Sequence, residues 1–173
     1  MINQDLKIQS YLLTDDGTWP NNSTLPLLYY PGAFTWSERE DPAEVEQVFH
    51  GNHWINSWRN GIYSFHHYHS TAHEVLGIYG GTVTVQLGGP DGVILDAQSG
   101  DVIVIPAGVA HKNHGSSRDF RCIGAYPDGQ TWDMNYGKPG ERPAADENIA
   151  RLKLPSRDPI FGNHGPVGEF WKT

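Results

Sequence analysis

Four side chains in this sequence have the types and spacing to hold one metal ion: His67, His69, Glu74 and His111. In a β-strand, the conformation expected for this stretch, side chains alternate faces, so His67 and His69 project to one side and Tyr68 to the other. Two imidazoles on one face suit a single metal. Ser70 to His73 are expected to form a short turn, after which Glu74 shares the face of Leu76 and Ile78. If that face is the interior, Glu74 is a third ligand. A possible fourth lies further along: the β-branched run Val102-Ile103-Val104-Ile105 marks a strand, Pro106 ends ladder donation, Gly108 permits a tight turn and His111 enters the next strand.

With these residues in view, the chain resembles the cupin superfamily. Gly61, His67-x-His69, Glu74 and Gly81 fall at the spacing of the first cupin motif, and Gly100, Pro106, Gly108 and His111 at that of the second. The second motif departs at its end, where Gly115 replaces the family asparagine and Asn113 lies two residues early. The flanks, Leu25–Tyr30 and Gly124–Trp132, resemble those of YjlB-type bacterial single-domain cupins. His73 stands where a cupin with a shorter spacer places its carboxylate; alternation sets it opposite Glu74, so it is expected to be solvated or to stand behind the ligands. The resemblance implies an all-β double-stranded β-helix, a jelly-roll barrel, binding one divalent first-row metal such as Fe, Mn, Ni, Zn or Co. It also implies a homodimer, in which an exposed edge strand pairs with a second subunit.

Three neutral imidazoles and one carboxylate leave one or two positions open on such a metal, which separates a working site from a structural one. That chemistry suits a dioxygenase, decarboxylase or isomerase acting on a small oxygen-bearing molecule. A non-catalytic binding or sensing cupin is the alternative, and a storage cupin is disfavoured by the intact ligand set. Tyr63 and Phe65 share parity with the histidines and are expected to line the same pocket. Arg121 is a candidate clamp for a carboxylate or phosphate, or else a surface arginine. Tyr126 and Trp132 are candidates for the mouth, and His66 and His114 are expected to point away from the ligands.

The chain has 173 residues, 38% of them hydrophobic, enough for one core and short for two domains. A single domain spanning 1–173 is expected, with the barrel core at about 61–126, an N-terminal extension before it and a tail from 127. The net charge of −8 and the lack of a basic run argue against a nucleic-acid partner. Without a long apolar stretch or a signal-like start, the chain reads as cytoplasmic with no membrane partner. The single Cys122, in an apolar stretch, reads as a buried small hydrophobe.

The elements that must position the ligands can be read around them. Short strands are expected at Gln9 to Leu13 and Leu25 to Tyr30. A helix begins at Pro42 with Asp41 as N-cap, Glu44 completing a capping box and Gly51 as C′ residue, covering one end of the barrel. Residues 51–61 read as an aromatic loop. From Ile62 to Tyr126 short strands alternate with Gly-rich turns, the pattern of an antiparallel sandwich or barrel. A brief helix at Pro143–Leu152 and an extended tail wrapped on the barrel, against a second subunit where one is present, complete the expectation.

Overall fold

A computed structural model of the chain describes residues 1–172. Its strands are β1 (Gln9–Leu13), β2 (Asn22–Tyr30), β3 (Trp54–Asn60), β4 (Glu74–Gly80), β5 (Thr82–Leu87), β6 (Val93–Gln98), β7 (Val102–Ile105), β8 (His111–Ser116) and β9 (Arg121–Pro127). The helices are α1 (Pro42–Gly51), α2 (Ala144–Arg151) and α3 (Pro166–Phe170). A six-stranded sheet in the order β1-β2-β7-β4-β9-β3 faces a three-stranded sheet in the order β6-β5-β8, and the pairings are antiparallel. This is an all-β jelly roll whose two sheets do not close into a continuous barrel.

Two apolar layers follow from the alternation. Between the sheets lie Leu27, Leu76, Ile78, Ile103 and Cys122 from the large sheet, packed with Val83, Val85, Leu87 and Leu95 from the small one. On the other face of the large sheet, Leu28, Tyr30, Val75, Val102, Val104 and Ile123 are covered by Val45 and Phe49 of α1 and by Ile160, Val167 and Trp171. β7 is therefore buried on both faces, which is why Val102–Ile105 is a continuous apolar run rather than an alternating one.

Several expectations need correction. Residues 51–61 are mostly strand: β3 pairs with β9, but Asn56, at φ 58, sits in a register shift that breaks the period-2 signal of a strand. Gly51 is the last helical residue, and His53, at φ 66, takes the left-handed conformation beyond the cap. Asp41 does cap α1 through the Ala43 N–H, whereas the Glu44 carboxylate reaches the Met1 amino group instead of closing a capping box. Helix α1 lies across the outer face of the large sheet, not one end of a barrel. The expected extended tail contains α3, and it is tied down by the buried Asp158. That carboxylate accepts from the Tyr30 hydroxyl (2.6 Å) and from the backbone N–H groups of Ile160, Phe161 and Val167. No helix among the described residues is long and apolar enough to cross a membrane.

Candidate metal centre

The ligand candidates converge from three places in the chain. Glu74 opens β4 opposite Ile105, so its side chain enters the space between the sheets on the same face as Leu76 and Ile78. His111 opens β8 and exchanges backbone hydrogen bonds with His67 (2.9 and 3.2 Å), which ties the first histidine to the small sheet. His67 and His69 thus hang on an isolated bridge rather than on the strand expected for them, yet the extended backbone still sends Tyr68 to the opposite side, where it packs on Trp19. The approach to His111 requires Gly108: at φ 93 it turns the chain, its N–H donates to the His69 carbonyl, and a Cβ there would collide with the Asn21 carbonyl.

All four side chains are buried, His67 4%, His69 6%, Glu74 2% and His111 2% exposed. One ring nitrogen of each histidine lies within 4.8 Å of the others. Glu74 Oε2 stands 3.2 Å from His111 Nε2 and 3.5 Å from His69 Nε2. Each Nδ1 faces a backbone carbonyl: Phe65 for His67 (3.0 Å), Asp133 for His69 (2.5 Å) and Val109 for His111 (3.1 Å). A carbonyl only accepts, so each Nδ1 carries a proton and each ring, when neutral, turns its Nε2 lone pair inward. Glu74 Oε2 is buried without a hydrogen-bond partner. Three lone pairs and an orphaned carboxylate oxygen, all acceptors, meet where no protein donor among the described residues answers them. A cation fits such a donor set, and fixing a ligand histidine through its other nitrogen is the usual arrangement at metal sites.

The charges agree with that reading. Burial pulls His67 down to about 3, so this ring is neutral at neutral pH. Burial also acts to lower His69, but the Glu74 carboxylate and the Asp133 backbone raise it above its ordinary value. Burial would raise Glu74, and the neighbouring His69 and His111 outweigh it and hold the carboxyl well below the usual range.

Around the cluster lies a cavity of about 280 Å³, lined beyond the ligands by Trp58, Tyr63, Leu76, Tyr126, Trp132 and Met134, among others. Of the residues expected there, Tyr63, Tyr126 and Trp132 are brought together. Phe65 stacks on Tyr63 at 4.9 Å but does not line the cavity. Arg121 does not reach it. It pairs with Gly80, at the end of β4 away from Glu74, and its guanidinium donates to the Phe120 and Arg118 carbonyls. His73 does lie opposite Glu74, but it is buried rather than solvated: it accepts the Ala107 N–H through Nδ1 and packs on Trp171. The Asn113 side chain bonds Ser116 and the Gly115 N–H, away from the ligands.

Two positioning residues had escaped the sequence. Trp58 Nε1–H donates to the Tyr126 hydroxyl (2.7 Å), leaving the Tyr126 proton for Glu74 Oε1 (3.2 Å). The indole lies directly against Gly124, where any Cβ would strike the ring. Asp133 accepts from Ser70 N–H and Oγ–H (2.6 and 2.5 Å), Thr71 N–H and Asn135 Nδ2, which clamps the turn after His69 against the segment whose carbonyl orients His69. Nothing local in the sequence marks either contact, because each joins residues more than 60 positions apart.

No protein-family model matches the chain. Among solved structures it is similar to procruciferin, an 11S globulin from Brassica napus, at TM-score 0.38 and 17% identity, covering 79% of this chain and 28% of that one. It is also similar to a DUF861 family protein from Thermotoga maritima, at TM-score 0.34 and 22% identity, covering 50% and 92% respectively. The Bacillus subtilis (strain 168) protein described as "Uncharacterized protein YjlB" is 42% identical over 163 residues, 94% of this chain and 96% of YjlB. With that identity maintained across nearly the whole of both sequences, the chain belongs to the YjlB family.

Proposed function

We propose that the protein is a cupin-type metalloenzyme that holds one divalent first-row metal through His67, His69, His111 and Glu74 and transforms a small oxygen-bearing molecule. One observation carries this reading: three tautomer-fixed imidazoles and an orphaned carboxylate oxygen converge at a cavity that other side chains leave open. A metal held there would supply a Lewis acid with positions free for substrate oxygens, chemistry shared by dioxygenases, decarboxylases and isomerases. The chain's own contribution is to orient and to exclude water. Tyr126 holds Glu74 Oε1, the Asp133 carbonyl holds His69, and the aromatic walls keep the dielectric around the cluster low.

Metal content of protein purified without added metal or a histidine tag tests this reading. Near-stoichiometric metal is expected, lost in both His67→Ala and His111→Ala. Less than about a tenth of an equivalent, with no recovery after metals are added back, would refute it. Iron would direct activity assays to O₂ consumption, and manganese, nickel or zinc to lyase and isomerase reactions.

A further inference from the structure

Resting on the metal-centre reading above, we propose that the cavity selects a planar, unsaturated oxygen donor bearing a single negative charge, and rejects phosphorylated and multiply carboxylated molecules. The walls argue for the planar body. Tyr63 stands edge-on to His67 at 5.4 Å, and Trp132 stands 5.6 Å from His69, so aromatic rings flank the ligand cluster on the sides of both histidines. Tyr126 stacks beside Trp132, with ring centroids 6.4 Å apart. Its hydroxyl is already engaged between Trp58 and Glu74, so it is not a spare donor for a substrate. Trp132 and Tyr63 remain 46% and 55% exposed at the mouth, apolar surface that a flat ligand would cover.

Charge argues for the single anionic group. Among the described residues, Arg59 is the one Lys or Arg that lines the cavity, and Glu46 holds its guanidinium through two bonds of 2.6 and 3.1 Å. With Arg121 at the other end of its strand, no uncommitted Lys or Arg among the described residues lines the cavity to take a phosphate or a second carboxylate. Glu74 alone charges the cluster, so a divalent ion held there would leave one positive charge for the substrate to neutralise. The chain's net charge of −8 adds a long-range field that opposes polyanions. The cavity, about 280 Å³, lies just below the ~300–1,000 Å³ typical of ligand pockets, which favours a single-ring molecule.

The test is calorimetric titration of the protein as purified, its metal content measured on the same batch, with salicylate, malonate and inorganic phosphate as probes. Salicylate should bind at least about ten-fold more tightly than either of the others. Trp132→Ala should weaken salicylate roughly five- to ten-fold while changing malonate less than about two-fold, and Trp132→Phe should restore most of the loss. Phosphate or malonate binding as tightly as salicylate, or salicylate binding indifferent to Trp132→Ala, overturns the proposal. Metal content and add-back separate the two readings: less than about a tenth of an equivalent as purified, with no recovery after metals are added back, condemns the metal centre, whereas the selectivity stands or falls with the dependence of salicylate binding on Trp132.

Discussion

Replacing Gly124 with alanine should disconnect the aromatic wall from the metal ligands. A Cβ at this position would stand 2.6 Å from Trp58 Nε1 and closer still to two carbons of the same rigid ring. Ordinary contact needs ~3.5 Å, so the indole must move by about 1 Å or more, and the 2.7 Å bond from Nε1–H to the Tyr126 hydroxyl is lost. Overpacking of this kind costs ~1–3 kcal/mol and the lost hydrogen bond ~1 kcal/mol, giving about 2–4 kcal/mol in all. At a urea m-value of ~2 kcal/mol/M the unfolding midpoint should fall by ~1–2 M. Gly115→Ala is the matched control: it also lies in a strand, but its Cβ would meet nothing within 4 Å. That variant should be neutral or stabilised by ~0.4–1 kcal/mol. Equal midpoints for the two variants, or unchanged indole emission in Gly124→Ala, would refute the reasoning.

Three further outcomes are expected. Asp133→Ala should lower metal affinity ~10-fold in chelator competition while His67, His69 and His111 remain, because the turn after His69 is released; unaltered affinity counts against the clamp. Asp158→Ala leaves the buried Tyr30 hydroxyl and three backbone N–H groups without their acceptor, so equilibrium unfolding should show a loss on the order of 4 kcal/mol, and a loss under ~1 kcal/mol contradicts the role given to it. Burial lowers His73 to about 4, below the 6.5 of the unfolded chain, so the unfolded state binds the extra proton; the stability contribution is complete above pH 6.5 and declines as pH falls toward 4. Between pH 7.5 and 5, with chelator present, His73 should account for ~2 kcal/mol of lost stability, and parallel profiles for wild type and His73→Leu would contradict this.

What could be read from the sequence was what depends on neighbours. His67-x-His69, Glu74 with Leu76 and Ile78, and the Pro106–Gly108 turn before His111 are patterns spanning a few residues, and extended backbone translates each into a direction. Asp41 and Pro42 mark the start of α1 for the same reason. What escaped depends on pairing across the fold. Trp54 and Trp58 read as loop because the irregularity at Asn56 removes the alternation that would have shown a strand. Arg121 seemed placed for the site because it follows His111 in the chain, but it pairs with the far end of β4, and the neighbouring Cys122 takes the inward face. Asp133 is 64 residues from the ring its carbonyl orients, a distance over which no local spacing carries information.

The seal over the large sheet has a consequence for synthesis. Trp171 is buried against the outer apolar layer, and its indole N–H donates to the Pro26 carbonyl, 145 residues earlier in the chain. At ribosomal rates of ~5–20 residues per second, β2 leaves the ribosome roughly 7–30 s before the C-terminal part of its cover exists. Through that interval the outward faces of Leu28 and Tyr30 have only α1 to shield them on the nascent chain. Production of this protein should therefore respond to chaperone supply and growth temperature more than to the strength of its finished core.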